Sequence, residues 1–335
     1  MQKAAIVILN YNGEEMLKKF LPGVVEKSKY EIIVADNGST DHSVFFVREN
    51  YPLLTCLLLG SNFGYSQGYN LALSQLEGKF EYYILLNSDV QVTENWDQNM
   101  IRWLDQYPQV AVSQPKILSY QNPSHFDHAG AGGGFLDELG YPYCRGRIFN
   151  ETERDRHQYD DQLEVEWASG ACFFVRAIDF HSAGGFDQHF FAHMEEIDLC
   201  WRLRLSGKQI FYNGEITVFH INGGTLPKRS PFKTFLNFRN SLLMLYKNLP
   251  RPKFLQIFFL RVCLDFVAIL HFSLTEGPIH SQAVLKAYRD FFKLKPSVKK
   301  SFPLALKLTK EVHGKKVFSI VFTYYLRGKH TYQEI

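Results

Sequence analysis

The stretch Tyr82-Tyr83-Ile84-Leu85-Leu86-Asn87-Ser88-Asp89-Val90 decides how this chain folds. Its first five residues form a continuous apolar run, which is typical of a strand buried on both faces of a parallel α/β sheet. A short polar turn follows, at the end of the strand where open α/β sheets bind their ligands. Asp89 in this turn is therefore a candidate ligand for a hard divalent cation, although Asn-Ser-Asp is also an ordinary turn sequence.

The composition indicates a sizeable globular protein and gives no sign of nucleic acid as a partner. The chain has 335 residues, a formal net charge of +3 and 15% aromatic residues. This length allows one large domain or two smaller ones. The five cysteines include no Cys-x-x-Cys pair, which predicts reduced thiols and a cytoplasmic protein. The apolar run from Ala4 to Leu9 is too short and too strand-like for a signal peptide.

Strands and helices are predicted to alternate through the first part of the chain. The predicted strands are 4–9, 31–35, 54–59, 82–86 and 110–113, and the predicted helices are 14–25, 43–50, 71–76 and 96–106. This alternation indicates an α/β fold with a mostly parallel, Rossmann-like sheet flanked by helices. The Gly- and Asn-rich residues 60–70 are expected to lead into a helix, and residues 116–160 are expected to form long loops.

Two later elements carry charged residues at their ends. Ile197, Trp201 and Leu205 are spaced four residues apart, which predicts one face of a helix. Acidic residues stand in its first turn, where they suit the helix dipole. A short strand at 216–219 is predicted to end at His220.

The chain beyond residue 228 is predicted to be a helical, basic extension, so we divide the sequence into residues 1–228 and 229–335. Residues 255–272 are strongly apolar, but Arg261 and Asp265 interrupt them and make a membrane span unfavourable. Residues 286–316 are rich in lysine. Two interpretations stay open: this region contacts an anionic membrane surface, or it forms a helical cap on the first domain.

Two familiar nucleotide-binding motifs are absent from the sequence. No Gly-x-Gly-x-x-Gly follows the first strand and no Gly-x-x-x-x-Gly-Lys-[Ser/Thr] occurs, which argues against a dehydrogenase and a P-loop NTPase. Asp36 instead ends the second strand, where a carboxylate can accept from a ribose hydroxyl or a base N–H. The sequence Asp-Asn-Gly is equally a common turn.

Five short motifs, taken in their order along the chain, resemble those of family 2 glycosyltransferases with the GT-A fold. They are Asn10-Tyr11-Asn12, Asp36-Asn37-Gly38-Ser39-Thr40-Asp41, Leu86-Asn87-Ser88-Asp89, Gly185-Phe186-Asp187 and Glu195-Glu196-Ile197-Asp198-Leu199. The stretch from Asn62 to Asn70 resembles the rhamnosyltransferase-like branch. The resemblance covers residues 4–225 and implies an inverting transfer of a sugar from a nucleotide-sugar donor.

The resemblance implies a donor site and a metal site. Nucleotide-sugar binding is implied for Asn10, Asn12, Asp36, Asn37, Gly38, Asn62, Gly64, Asn70, Asn87 and Ser88. Asp89 would bind Mg²⁺ or Mn²⁺ on the diphosphate, with His220 as a second ligand. Asn87 stands where the family has an acidic residue, so the site has one carboxylate fewer, although the amide still offers a carbonyl oxygen.

The resemblance also implies catalytic and acceptor-binding residues. Glu196 stands at the position of the general base, where it replaces the usual Asp, and Glu195 and Asp198 lie beside it. Acceptor binding is implied for Trp167, Ser169, Gly170 and Ala171. The Trp167 ring either offers its face to a sugar or lies in the core. Arg239 and Asn240 are expected to close over the site.

These observations predict a metal-dependent glycosyltransferase of surface polysaccharide biosynthesis, cytoplasmic or at the inner face of the membrane. The predicted donor is dTDP-rhamnose or a UDP-hexose, and the predicted acceptor is a glycan or a lipid-linked molecule. Two alternatives stay open. Asn87 and Glu196 depart from the family pattern and would suit a non-catalytic, nucleotide-binding scaffold. A sugar-nucleotide nucleotidyltransferase would need a basic, Gly-rich loop after the first strand, where this chain has Asn-Tyr-Asn-Gly-Glu-Glu.

Overall fold

The computed structural model describes residues 1–221, 230–301, 312 and 314–335. The strands are β1 (Gln2–Asn10), β2 (Glu31–Asp36), β3 (Thr55–Leu58), β4 (Phe80–Leu86), β5 (Val90–Val92), β6 (Val110–Ser119), β7 (Gly134–Leu136), β8 (Pro142–Cys144), β9 (Arg147–Ile148), β10 (Glu151–Thr152), β11 (Gln162–Glu164), β12 (Cys172–Arg176) and β13 (Gln209–His220). The helices are α1 (Glu14–Lys27), α2 (Ser43–Asn50), α3 (Gly64–Ser74), α4 (Trp96–Gln106), α5 (Ala177–Ser182), α6 (Glu195–Leu205), α7 (Pro231–Asn248), α8 (Arg251–Thr275), α9 (Pro278–Leu294) and α10 (Ile320–Tyr325). The expected boundary between residues 228 and 229 lies outside the described residues.

The predicted central strand is β4, and it is buried on both faces. Strands β3, β2, β1 and β4 lie side by side and pair in parallel. Ile84 and Leu86 pack into the core on one face of the sheet, while Tyr83 and Leu85 pack on the other. Successive side chains of a strand point to opposite faces of the sheet. A strand that is covered by helices on both faces is therefore apolar at every position. The predicted α/β class and the parallel, Rossmann-like part of the sheet are confirmed.

The remaining strands make the large sheet mixed. Strand β12 lies antiparallel between β4 and β6, and β13 runs parallel to β6. Strands β5 and β11 both pair antiparallel with β13. The register partner of Leu86 is Cys172, so the residues just before β12 meet the residues just after β4. This pairing brings distant parts of the chain to one end of the sheet.

The Gly- and Asn-rich stretch before Leu71 is helical, whereas we expected the helix to begin near Leu71. Helix α3 begins at Gly64, and its Tyr65 N–H donates to the carbonyl of Phe191 at 2.7 Å. A Cβ atom on Gly64 would overlap Phe191, and one on Gly68 would meet the Leu9 side chain at 3.0 Å. The glycines therefore permit close packing here, and tertiary contacts override their poor helix propensity.

The segment 116–160 contains more regular structure than the expected loops. Strand β6 continues to Ser119, and β7 to β10 form a small antiparallel sheet of four short strands. Strands of two or three residues carry too little alternation to be predicted from the sequence. Gly134 in β7 packs against the ring of Trp167, which draws this small sheet onto the core.

The predicted C-terminal helical extension is present as α7 to α10. Helix α7 packs on α6 and α9, and α8 lies against α9. The carboxylate of Asp137, in the turn after β7, accepts from the N–H of Ile320 at 2.7 Å and fixes the start of α10. By length and composition alone, α8 is long and apolar enough to cross a membrane.

Candidate active site

The carboxyl ends of β1 and β2 form a rigid polar turn. Asn10 and Asp36 are register partners, and Asn10 Nδ2 donates to Asp36 Oδ1 at 3.2 Å. The other oxygen of Asp36 accepts from the N–H groups of Gly38 and Ser39 at 3.2 and 3.0 Å. The Asn12 N–H donates to Ser39 Oγ at 2.9 Å. The structure therefore brings four predicted donor-site residues together, and it leaves the buried Oδ1 of Asn10 without a partner among the described residues.

A second polar network links this turn to the start of α3. Asn37 Nδ2 donates to the Gly64 carbonyl at 3.0 Å and to Asn62 Oδ1 at 3.3 Å. Asn70 lies further along α3, where its amide bonds the carbonyl and the N–H of Phe186 at 2.7 and 2.9 Å. Three predicted donor-site residues thus hold one loop, whereas the amide of Asn70 is already occupied in bracing another turn.

Asp89 and His220 face each other at the ends of neighbouring strands. His220 is the register partner of Val90, the residue directly after Asp89. Asp89 Oδ1 and His220 Nε2 are 3.2 Å apart, and both side chains are buried. The two predicted metal ligands, which are far apart in the sequence, therefore meet in the fold.

A third side chain, Asp127, completes this cluster and was not predicted. Its Oδ1 lies 2.9 Å from His220 Nδ1, so the imidazole bridges two carboxylates through opposite ring nitrogens. Burial disfavours the charged ring, but the hydrogen bonds and charges of Asp127 and Asp89 outweigh it and raise the pKa of His220 to about 10. No local pattern indicated Asp127, because it lies in the segment expected to be a loop.

The donor atoms of Asp89 and His220 fit a divalent cation. Two adjacent ligands at about 2.1 Å from an octahedral ion are separated by about 3 Å. The observed separation of 3.2 Å is close to that value. Asp127 holds the ring by its other nitrogen, which is how metal-binding histidines are usually oriented. Asp89 and His220 are thus the residues that would hold a divalent ion, which would replace the ring proton of their direct ion pair.

A second group of candidate ligand atoms lies in the loop before β11. Ligand atoms of Asp155, His157 and Asp160 all lie within 4.8 Å of one another. Lys116 already supplies a positive charge here, because its Nζ bonds Asp155 at 3.0 Å and also contacts Asp160. His157 and Asp160 are exposed. This group has the character of a surface ion-pair network, unlike the buried cluster at His220.

Helix α6 begins with two adjacent carboxylates, Glu195 and Glu196, which we call the acidic pair; Glu195 is buried and Glu196 is half-buried. The Oε2 atoms of both are buried and have no hydrogen-bond partner within the part of the chain that the structure describes. Burial raises the pKa of Glu196 to about 7. Burial and then the charge of Glu196 raise the pKa of Glu195 well above its usual value. Carboxylates of this kind are suited to accept a proton near neutral pH.

Asp198, the third acidic residue of this motif, joins α6 to α7. It is buried and accepts from Arg202 Nε, Lys247 Nζ and Asn248 Nδ2, each at 2.8 Å. Lys247 also bonds Asp187 at 2.6 Å. Burial alone would raise the pKa of Asp187, but Lys247 lowers it to about 2. The polar contacts of Asp198 are thus structural, which sets it apart from the acidic pair.

Helix α7 supports a strained loop immediately before the acidic pair. His193 and Met194 have left-handed backbone angles, with φ of 69° and 73°, which are uncommon for residues other than glycine. Asn240 Nδ2 donates to the carbonyls of Ala192 and His193 at 2.9 and 2.8 Å. Arg239 and Asn240 are both buried. They therefore support this loop from inside the protein, whereas we expected them to close over the site.

The turn of residues 169–171 contacts both the turn after β4, which carries Asp89, and helix α3. The Asn87 N–H donates to the Ala171 carbonyl at 3.0 Å, and Asn87 and Ser88 are both half-buried there. Tyr65 Oη donates to the Gly170 carbonyl at 2.8 Å. The predicted residues Ser169, Gly170 and Ala171 therefore lie between the turn after β4 and Tyr65 of α3.

Trp167 lies in the core and offers no open ring face. Its side chain is buried, and its Nε1 donates to the Phe135 carbonyl at 2.9 Å. Gly134 lies directly against the indole, where a Cβ atom would overlap the ring. Two interpretations were left open for Trp167. The structure supports a core side chain, because stacking on a sugar needs an accessible ring face.

Comparison with known proteins identifies the chain's relatives. Residues 5–182 match the family model "Glycosyl transferase family 2". The chain is 26% identical over 234 residues to N-acetylglucosaminyl-diphospho-decaprenol L-rhamnosyltransferase of Mycobacterium tuberculosis, covering 64% of this chain and 75% of the relative. It is 26% identical over 221 residues to rhamnosyltransferase WbbL of Escherichia coli, covering 64% of this chain and 81% of the relative.

A solved structure shares the fold. The structure of GalNAc-T7 with UDP, GalNAc and Mn²⁺ superposes with a TM-score of 0.57 at 12% identity, over 89% of this chain and 58% of that one. The fold and the family model together show that this chain belongs to glycosyltransferase family 2. It is a glycosyltransferase with the GT-A fold, similar in sequence to rhamnosyltransferases, as the sequence predicted.

Proposed function

We propose that this protein transfers a sugar from a nucleotide-sugar donor to a hydroxyl group of a glycan or lipid-linked acceptor, with inversion at the anomeric carbon. The observation that carries the proposal is the acidic pair at the start of α6. Both carboxylates have raised pKa values, and each keeps one buried oxygen without a partner among the described residues. The reaction class comes from the family.

Glu196 is the general base in this proposal. The acceptor oxygen forms a bond to the anomeric carbon while the bond from that carbon to the diphosphate breaks, and the hydroxyl proton passes to Glu196. A pKa of about 7 leaves a large fraction of Glu196 ionised at neutral pH while keeping it basic. Burial and the charge of Glu196 raise the pKa of Glu195, so a second negative charge beside the base is disfavoured.

Asp89 and His220 would hold a divalent metal, and Asp127 would orient the imidazole. A bound divalent ion supplies Lewis-acid stabilisation of the diphosphate leaving group. Imidazole nitrogen favours transition metals, whereas carboxylate oxygen suits Mg²⁺ and Mn²⁺ alike. The mixed ligand set therefore favours Mn²⁺ over Mg²⁺.

The donor end of the site is formed by the turns after β1 and β2 together with the Asn37 network. We propose that Asn10, Asn12 and Asp36 contact the nucleoside. The rhamnosyltransferase names of two relatives support dTDP-rhamnose as the donor, with UDP-hexoses next. The decaprenol in one of these names supports a lipid-linked acceptor, surface polysaccharide biosynthesis and a location at the cytoplasmic face of the membrane.

The test is donor binding and donor hydrolysis with and without Mn²⁺. The donors are dTDP-rhamnose, UDP-glucose, UDP-galactose and GDP-mannose, and the proteins are wild type, Asp89→Ala and Glu196→Gln. We expect one donor to bind in a Mn²⁺-dependent way. Asp89→Ala should weaken this binding, whereas Glu196→Gln should bind the donor but lose turnover.

Two results would overturn the proposal. If no nucleotide sugar binds with or without metal, the turns at Asp36 and Asp89 are structural. If nucleotide binds but wild type and Glu196→Gln show the same lack of turnover with every donor and lipid acceptor tried, the non-catalytic scaffold explains the chain better.

A further inference from the structure

Helix α8 has one polar, protein-facing stripe and one apolar face that the rest of the chain leaves open. Its buried residues are Phe254, Ile257, Arg261 and Asp265, which recur every three or four positions along one side. The outer face consists of Leu255, Phe259, Val262, Phe266, Val267, Leu270 and Leu274, all exposed. This pattern separates the two charged residues of the helix from its apolar surface.

The two charges that interrupt the apolar sequence are used inside the protein. Arg261 NH1 donates to Ser241 Oγ at 3.0 Å, and Asp265 accepts from Tyr141 Oη at 3.0 Å and Tyr288 Oη at 2.7 Å. Both side chains are only 2% exposed. Between Lys253 and Glu276 the outer face therefore carries no Lys, Arg, Asp or Glu. From the sequence we expected these two charges to make a membrane span unfavourable; both lie in the buried stripe and leave the outer face apolar.

The outer face is strongly apolar for a surface in water. Phe259, Phe266 and Val267 are 67%, 60% and 61% exposed. The neighbouring α10 extends this surface, because Tyr325 lies 6.1 Å from His271 between ring centroids and is itself exposed. Large contiguous apolar patches on soluble proteins usually mark a partner or a membrane.

Positive charges gather at the amino-terminal end of α8. Lys300 Nζ lies 6.0 Å from the ring centroid of Phe254, and Lys295 Nζ lies 5.3 Å from that of Tyr246. Burial lowers the pKa of Lys300, and the charges of Lys295 and Arg251 lower it further. These three residues, the basic cluster, repel one another and so favour an anionic partner.

We propose that the outer face of α8 and the basic cluster form a docking surface for an anionic lipid bilayer, with α8 lying in the plane of the interface. An apolar helix face beside lysine and arginine residues is the arrangement that binds anionic membrane surfaces. The inference rests on the proposed function in one respect, because a lipid-linked acceptor gives the docking its purpose.

The contacts of α8 oppose a transmembrane orientation. A span would have to pull Arg261 and Asp265 away from Ser241, Tyr141 and Tyr288 and place them in hydrocarbon, where each charge is costly. In-plane docking keeps every one of these bonds. It also leaves the contact between α8 and α9 intact, since only the outer face meets lipid.

Cys263 is a built-in probe of this geometry. It stands at the middle of α8 and is exposed, whereas Cys144, Cys172 and Cys200 are buried. We would label Cys263 with an environment-sensitive fluorophore in a Cys56→Ser background. Vesicles of phosphatidylcholine with phosphatidylglycerol should shift its emission to the blue, and quenching by spin-labelled lipids should place it about 5–10 Å inside the headgroup boundary. Quenching at the bilayer centre would contradict in-plane docking, and an unchanged emission would contradict docking altogether.

Vesicle flotation with unlabelled protein tests the residues of the surface. The double variant Phe259→Asp/Phe266→Asp should lose at least about tenfold in partitioning to these vesicles, because it places charge on the apolar face. The triple variant Arg251→Gln/Lys295→Gln/Lys300→Gln should lose roughly fivefold per charge on anionic vesicles only. The matched control Phe45→Asp, at an exposed phenylalanine of α2, should bind like wild type. Equal binding by the double variant and wild type would overturn the proposal.

Nucleotide binding separates this inference from the proposed function. A soluble nucleotide-sugar donor does not need the docking surface, so all these variants should bind donor like wild type. A chain that floats with vesicles but binds no donor fails the proposed function and keeps the docking surface. A chain that binds donor but does not bind anionic vesicles keeps the proposed function and contradicts the docking surface.

Discussion

Asp127 Oδ1 lies 2.9 Å from His220 Nδ1, so a carboxylate from one loop fixes the ring whose other nitrogen faces Asp89. Such a contact fixes the orientation of the imidazole and directs its Nε2 towards Asp89, where the metal would bind. Asp127 is therefore a positioning residue for the proposed metal site.

We expect Asp127→Asn to weaken Mn²⁺ binding by about 10- to 100-fold, as loss of an outer carboxylate does at other histidine metal sites. Titration calorimetry or the electron paramagnetic resonance of free Mn²⁺ measures this directly. Asp155→Asn is the matched control, since Asp155 belongs to the exposed group near Lys116. If the control loses Mn²⁺ affinity and Asp127→Asn does not, the metal binds at the group of Asp155, His157 and Asp160 and not at His220.

The pKa of Glu196 predicts the pH dependence of transfer. A base must be ionised to accept a proton, and burial raises this pKa to about 7. The rate should therefore fall as the pH drops below about 7, by up to tenfold per unit. Glu196→Gln should lower kcat by about 10²- to 10⁴-fold with donor affinity kept.

Glu196→Asp is the control that separates a base from a structural side chain. It keeps a carboxylate, so it should retain more activity than Glu196→Gln and still lose activity at low pH. Equal activity of the Asp and Gln variants, or a wild-type rate that is flat between pH 5 and 8, would show that another group takes the proton.

Lys247 holds together two carboxylates, the half-buried Asp187 and the buried Asp198, at 2.6 and 2.8 Å. Lys247→Met leaves both without this cation and should lower the free energy of unfolding at pH 7 by about 3–5 kcal/mol, as measured by urea denaturation. Lys18→Met, which removes an exposed helix pair with Glu14, is the control and should unfold at nearly the same urea concentration as wild type.

The same variant should change acid stability in a definite direction. Burial raises the pKa of Asp187, but Lys247, helped by hydrogen bonds from His189, lowers it to about 2. A lowered pKa contributes stability above the unfolded value, and this contribution is lost as the pH falls towards about 2. The difference in stability between wild type and Lys247→Met should therefore narrow below pH 4. A difference that stays constant down to pH 2 would mean that Asp187 is not stabilised by this lysine.

Asn240 holds the strained loop before the acidic pair by bonding the carbonyls of Ala192 and His193. Asn240→Ala should leave two buried carbonyls unpaired, cost roughly 1–3 kcal/mol of stability and lower kcat more than donor affinity. Asn237→Ala, three residues earlier on the same helix, is the control and should match wild type. If activity falls only in proportion to the amount of folded protein, Asn240 has a structural role only.

Local sequence patterns predicted the elements that rely on local physics. The apolar run ending at Leu86 predicted a strand with two buried faces, and the helices over 43–50 and 96–106 appear with those bounds. Periodicity reports burial directly, because a strand alternates every two residues and a helix every 3.6. Short strands such as β9 lack enough residues to show a period, and Gly64 begins a helix because Phe191 packs against it.

The sequence by itself determined the fold class, the family motifs and the order of the acidic residues along the chain. Only the tertiary structure decided which of those residues act together. Asp198 and Glu196 stand two residues apart, yet helix geometry turns one towards Lys247 and leaves the other's carboxylate without a bond among the described residues. Asp127 joins His220 only because β13 crosses the sheet to lie beside β6. Arg261 and Asp265 interrupt an apolar sequence, but packing turns both inward and leaves the outer face of α8 apolar. Direction and pairing of side chains depend on contacts between distant segments, and no single stretch of sequence contains them.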